Sequence, residues 1–112
     1  MEARLKTELA RTGDESAEAA ALRLRAAREA IQMSQIELGA AVGRGKSAIS
    51  NMEKARSFVS MDVMRYLFRE HRIDFNFMMA GLYAQLPGDV QDRLFAELAT
   101  LNSGTGQKPS SD

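Results

Sequence analysis

Four polar side chains, Lys46, Ser47, Ser50 and Asn51, stand around the apolar residue Ile49 and ahead of Met52. If Ile49 is the post that holds a short helix down, the four polar groups point outward. Their chemistry suits the edges of stacked base pairs. An Asn amide bonds bidentately to an adenine edge, a Lys ammonium donates to guanine O6 and N7, and a Ser hydroxyl serves either. Gln35, Arg44 and Arg56 fall near helix ends, where the flanking phosphates would pass.

Two short helices position this set. Ser34-Gln35-Ile36-Glu37 is a capping box: the Ser34 hydroxyl accepts from the Glu37 amide, and the Glu37 carboxylate reaches back to the Ser34 amide. A helix of eight or nine residues follows, with Leu38 and Val42 inward. Gly43-Arg44-Gly45 breaks it, and residues 46–54 form the second helix, burying Ile49 and Met52. Helices this short do not align like a bundle pair. A three-residue turn containing glycine sets them at a steep angle, the helix-turn-helix arrangement. Gly43 supplies a positive φ at little cost, and Gly39 is small where the second helix must come close.

The rest of the chain reads as all-α. Ala, Leu, Met, Glu, Arg and Gln dominate, and no segment alternates with period two. Residues 1–16 hold an arm or a short helix around Leu5 and Leu9. Ser16 caps a helix running to about Gln32, with Leu24, Ala27 and Ile31 on its buried face. Ser60 is the expected cap for 61–71, with Met61, Met64, Leu67 and Phe68 inward. Asp74 caps 75–80, and Gly81 closes it. The division is 17–81 for the central domain and 82–101 for a C-terminal helix. In that helix Pro87 sits in the first turn, and Val90, Leu94, Leu98 and Leu101 form a stripe. From residue 102 to 112 the composition is that of a disordered tail.

Charge is balanced overall, 15 basic against 15 acidic residues, yet unevenly spread. Residues 20–56 hold seven basic groups (Arg23, Arg25, Arg28, Arg44, Lys46, Lys54, Arg56) and three acidic ones (Glu29, Glu37, Glu53), a net of +4. A phosphate-binding face needs local, not global, positive potential. The absence of cysteine removes disulfides, thiolate metal sites and a cysteine nucleophile. No apolar run approaches the ~20 residues of a membrane span, and the N-terminus carries no signal-peptide core, so a cytoplasmic protein is expected.

The run from Ser34 to Gly43, followed by Lys46-Ser47-Ala48-Ile49-Ser50-Asn51-Met52-Glu53-Lys54, resembles the helix-turn-helix of the Cro/lambda-repressor (XRE-like) regulators. The likeness extends from about Leu22 to Gly81, where Ile73 to Gly81 is similar to the closing helix of phage-repressor heads. It implies a five-helix lambda-repressor-like DNA-binding domain plus the C-terminal amphipathic helix. By the same likeness Lys46, Ser47 and Asn51 read bases, while Gln35, Arg44, Ser50 and Arg56 touch phosphates. Arg28 and Glu53 match a structural ion pair tying the first main helix to the recognition helix. Three departures stand out. Gly45 replaces a capping Ser or Thr, Arg44 replaces an apolar residue, and Ala55 replaces a common Gly, so a different exit from the helix is expected.

The implied function is a sequence-specific transcriptional regulator, with repression the commoner outcome. It would bind an inverted-repeat operator in double-stranded DNA as a homodimer, with half-sites roughly 34 Å apart. Phe95 beside Leu94 and Leu98 widens the last helix's stripe toward an interface. Two alternatives stand beside it: an antitoxin-type regulator holding a partner toxin through that helix, and a protein–protein adaptor that has lost DNA. No cofactor, metal or enzymatic activity is expected. His71 is the only histidine and has no catalytic partners, and the Met and Phe positions 61, 64, 68, 75, 77, 78 and 79 read as core, with Phe75 and Met79 partly open.

Overall fold

The computed structural model describes residues 1–103. Within them the chain forms seven helices and no strand: α1 (Ala3–Ala10), α2 (Ala17–Ala30), α3 (Gln35–Ala41), α4 (Lys46–Glu53), α5 (Met61–His71), α6 (Phe75–Ala80) and α7 (Gly88–Asn102). Asn102 ends α7 rather than opening a tail, and 104–112 lie outside the described residues.

Local chemistry sets most boundaries. The Ser16 hydroxyl accepts the Ala19 amide to start α2. The Ser34–Glu37 capping box forms with both bonds present. Asp74 accepts the Phe77 amide at α6, which ends on Gly81 at φ 69°. Two expected starts differ. Ser60 stands at the cap of α5 but gives no side-chain cap bond, its hydroxyl lying 3.9 Å from the Met52 sulfur instead. Pro87 is the residue before α7, not part of its first turn.

α2 is the central element, in contact with α4, α6 and α7. Its run of small residues makes that possible: Ala19, Ala20, Ala26 and Ala27 are fully buried and let three neighbours approach one helix. A single apolar cluster runs from Leu9 of α1 to Leu98 of α7, across the boundaries expected at 16 and 81. α1 is docked, not a free arm. The Tyr83 hydroxyl donates to the Ala3 carbonyl, the Thr12 hydroxyl to the Gly81 carbonyl, and Lys6 to the Gln91 side chain. In α7, Val90, Leu94, Phe95 and Leu98 are buried within the same chain, so the stripe read as a possible interface is covered by its own domain. Among the described residues no helix is long and apolar enough to cross a membrane.

The inward face of α5 is corrected. Val63, Met64 and Leu67 are buried, whereas Met61 and Phe68 are 55% and 48% exposed. The buried arc is centred about a quarter turn away from those two positions. Phe68 lies instead against the Phe75 ring, with centroids 5.7 Å apart.

Arg23 is the least expected core residue, with 0% exposure. Its guanidinium donates to the carbonyls of Ala10 (2.8 Å), Arg11 (2.6 Å) and Asp14 (2.7 Å). Longer contacts reach Met78 and Met79. Those oxygens include the C-terminal carbonyls of α1 and α6, so one cation answers two helix ends whose dipoles are negative there. Desolvation lowers the Arg23 pKa from its ordinary value, against the attraction of Asp14. Gly81 makes room: a Cβ there would lie 2.5 Å from the Ala10 oxygen and 2.8 Å from Arg23 Nη2.

Candidate nucleic-acid interface

α4 is fixed from behind before its front can matter. Ile49 and Met52 enter the core at 0% and 3% exposure. At its last residue the Glu53 carboxylate accepts Arg28 Nε at 2.6 Å and Nη2 at 3.0 Å, both side chains almost wholly buried. Gln35 Nε2 donates to the same carboxylate at 3.1 Å, and Arg28 Nη1 donates to the Met33 carbonyl at 3.0 Å. α2, the first residue of α3 and the last of α4 therefore meet at one carboxylate, and Arg28 ties in the turn after α2 as well. The short bidentate geometry makes this a rigid joint.

The other end of α4 is set by the turn from α3. Gly43 adopts φ 72°, and the Arg44 amide returns to the Gly39 carbonyl at 2.8 Å. A Cβ on Gly39 would stand 2.8 Å from the Arg44 oxygen and 3.0 Å from the Gly45 oxygen, both immovable backbone atoms. The close approach expected at Gly39 is thus to the turn leading into α4. Gly45 occupies the cap position and gives no side-chain bond, so the first amides of α4 keep their positive potential outward.

The front of α4 presents Lys46, Ser47 and Asn51 exposed, with Ser50 half-buried beside them. Among the described residues, no hydrogen bond or ion pair takes up any of these four side chains. Lys54 and Arg56 are exposed at the far end. Ala55 between them adopts φ 58°, so the chain leaves α4 through a left-handed residue despite the methyl group. Ile36 on α3 adds an exposed apolar side chain, 55% open.

The sites grouped as phosphate contacts are not equivalent. Gln35 has its amide nitrogen on Glu53. Arg44 is engaged by Asp62 of α5, Nε to Oδ2 at 2.8 Å and Nη2 to Oδ1 at 3.3 Å. That hydrogen bond raises the Arg44 pKa and is the main cause that brings the Asp62 carboxyl down to about 2. Of the two arginines and the glutamine at these ends, Arg56 alone is exposed and uncommitted among the described residues. The net +4 counted over 20–56 is likewise not a surface charge. Arg23 and Arg28 are buried, and Arg44 is paired.

Sequence reasoning missed Asp62 and Arg23. Asp62 had a signal: an arginine at a turn position suited to an apolar residue needs a partner. Arg23 had none, because helix carbonyls carry no sequence mark. His71 is half-buried, its Nε2 3.2 Å from the Tyr66 hydroxyl, and burial lowers its pKa. Among the described residues no cluster of His, Cys, Asp or Glu could hold a metal. No family model, curated protein or solved structure matches the chain.

Proposed function

We propose that the chain is a sequence-specific double-stranded DNA-binding regulator of the Cro/lambda-repressor type, with α3 and α4 as its helix-turn-helix and α4 in the major groove. One observation carries this reading: Lys46, Ser47 and Asn51 stand exposed and uncommitted on the front of a helix whose back is locked by Ile49, Met52 and the Arg28–Glu53 pair. A base-reading helix needs that combination of free hydrogen-bonding groups and a fixed frame. α2 to α6 are the five helices of the proposed head.

Lys46, Ser47 and Asn51 read base edges in this assignment, and Ser50, Arg56, Arg44 and Gln35 serve the backbone. Occupancy of a promoter represses transcription. A homodimer on an inverted repeat is part of the proposal, because one eight-residue helix reads few bases alone. The stripe of α7 is unavailable for that dimer, being buried in its own chain. A second reading, a protein–protein adaptor or an antitoxin-type regulator, is favoured by the exposed apolar side chains Phe58, Met61, Phe68 and Leu82.

The test is selection of bound sites from random duplex DNA at near-physiological salt, with the wild type and the Lys46→Ala/Asn51→Ala variant side by side. An inverted repeat enriched by the wild type and lost in the variant supports the regulator. No enrichment by the wild type moves the adaptor to first place.

A further inference from the structure

The turn between α3 and α4 carries one cation, Arg44, two residues ahead of Lys46, and a carboxylate already holds it. Asp62 takes the Nε–Nη2 edge of the guanidinium at 2.8 and 3.3 Å. That is the two-donor edge a phosphate would use in the same fork geometry. The pair is open to solvent, with side chains 41% and 37% exposed. Ion pairs in such surroundings contribute little and exchange easily. Asp62 has reason to stay in place when Arg44 leaves. Its Oδ1 accepts the Val63 amide at 3.1 Å, and it lies in the first turn of α5, where the helix dipole favours an acid.

We propose that Asp62 is an internal stand-in for a DNA phosphate: it occupies Arg44 in the free protein, yields it on binding, and thereby lowers affinity for duplex DNA of any sequence. This rests on the DNA-binding reading above. The exchange has a definite electrostatic consequence. Arg44 reaching a phosphate releases one counterion from the duplex, but the abandoned Asp62 carboxylate draws a cation back. The contact is then almost silent in the salt dependence. The abandoned carboxylate also stands near the backbone and repels it. Non-specific affinity, which is nearly all electrostatic, is therefore reduced more than the reading of bases by Lys46 and Asn51.

The experiment is equilibrium binding of the full chain to a random-sequence duplex of about 20 base pairs, over roughly 50 to 200 mM salt. Wild type, Asp62→Asn, Arg44→Ala and the double variant are compared, with Asp62→Ala as a second removal of the charge. Circular dichroism verifies that each is folded. Asp62→Asn and Asp62→Ala are expected to bind about 3- to 10-fold tighter, with a log K against log salt slope steeper by about one. In the Arg44→Ala background the same substitution is expected to tighten binding much less, by the residual repulsion alone, and to leave the slope unchanged. Weaker or unchanged binding on removing Asp62 overturns the proposal. So does equal tightening with and without Arg44, which would make Asp62 a bare repulsive charge. Absence of wild-type binding at the lowest salt is a different result, and removes the DNA-binding reading itself.

Discussion

Replacing Glu53 by Ala tests the joint on which the orientation of α4 depends. The substitution deletes a carboxylate that accepts three donors, two from Arg28 and one from Gln35. Arg28 is 2% exposed, so its charge cannot turn to water. It keeps the Met33 carbonyl at 3.0 Å and a distant approach to Glu29 at 3.9 Å, neither of which replaces the bidentate carboxylate. Stranding one member of a buried pair costs about 3–5 kcal/mol. A domain of this size has roughly 5–15 kcal/mol in total. At about 4 °C per kcal/mol the melting temperature should fall by roughly 12–20 °C.

Thermal and urea unfolding followed by circular dichroism measure the loss, with an unchanged m-value showing that the two end states are comparable. The companion variant Arg28→Met/Glu53→Leu removes both charges. It should recover all but about 1–2 kcal/mol, the remainder being the hydrogen bonds that Gln35 made to Glu53 and the Met33 carbonyl accepted from Arg28. A loss below about 1 kcal/mol for Glu53→Ala would refute the reasoning, because the pair would then be as weak as one in solvent. A double variant no better than the single would refute it too, since the damage could not come from the stranded charge.

Three further outcomes follow from local geometry. Ala55 holds φ 58°, so Ala55→Gly relieves left-handed strain and should raise stability by about 1 kcal/mol, read as a higher melting temperature. Gly81→Ala puts a Cβ 2.5 Å from the Ala10 carbonyl at a residue with φ 69°, and should cost about 3 kcal/mol or more in urea unfolding. His71 has its pKa lowered from 6.5 by burial, so the folded state favours the neutral ring. The stability this contributes is full above pH ~6.5 and is lost as pH falls through the lower folded value. An NMR titration of the ring should give a midpoint under 6.5, and a midpoint at or above it would contradict the burial.

The elements that sequence located well are those with a local chemical cause. Ser16, the Ser34–Glu37 box, Asp74 and Gly81 are residues whose own side chain or φ ends a helix, and each boundary stands near where such chemistry puts it. The front of α4 was legible for the same reason: four polar residues around Ile49 leave one way to bury the helix. What was not legible is tertiary. Met61 and Phe68 are apolar and helical, and only the packing of the surrounding elements decides that Val63 turns inward instead. The α7 stripe was visible, but nothing in its spacing says whether its own α2 or another chain covers it. Arg44 and Asp62 are 18 residues apart and meet only because α5 starts beside the turn.

Under the proposed DNA-binding function, the same distinction between counting and placing governs how strongly the chain would hold DNA. Seven basic residues in 20–56 suggest a steep dependence on salt. Their positions suggest otherwise. Arg23 binds helix carbonyls inside the core, Arg28 is locked to Glu53, and Arg44 only trades one anion for another. Arg25 is half-buried on α2, and Lys46, Lys54 and Arg56 remain as exposed cations along α4 and its exit. Each phosphate neutralised contributes about −0.9 to the slope, so three cations give a slope of about −2 to −3 per protomer. That is shallow for a DNA-binding protein, and in the proposed function it would shift the burden of recognition from charge to the hydrogen bonds of Lys46, Ser47 and Asn51. Arg23 and Arg28 of α2 thus serve to build the frame, and on the proposed reading that frame is what lets a nearly neutral chain present a reading helix at all.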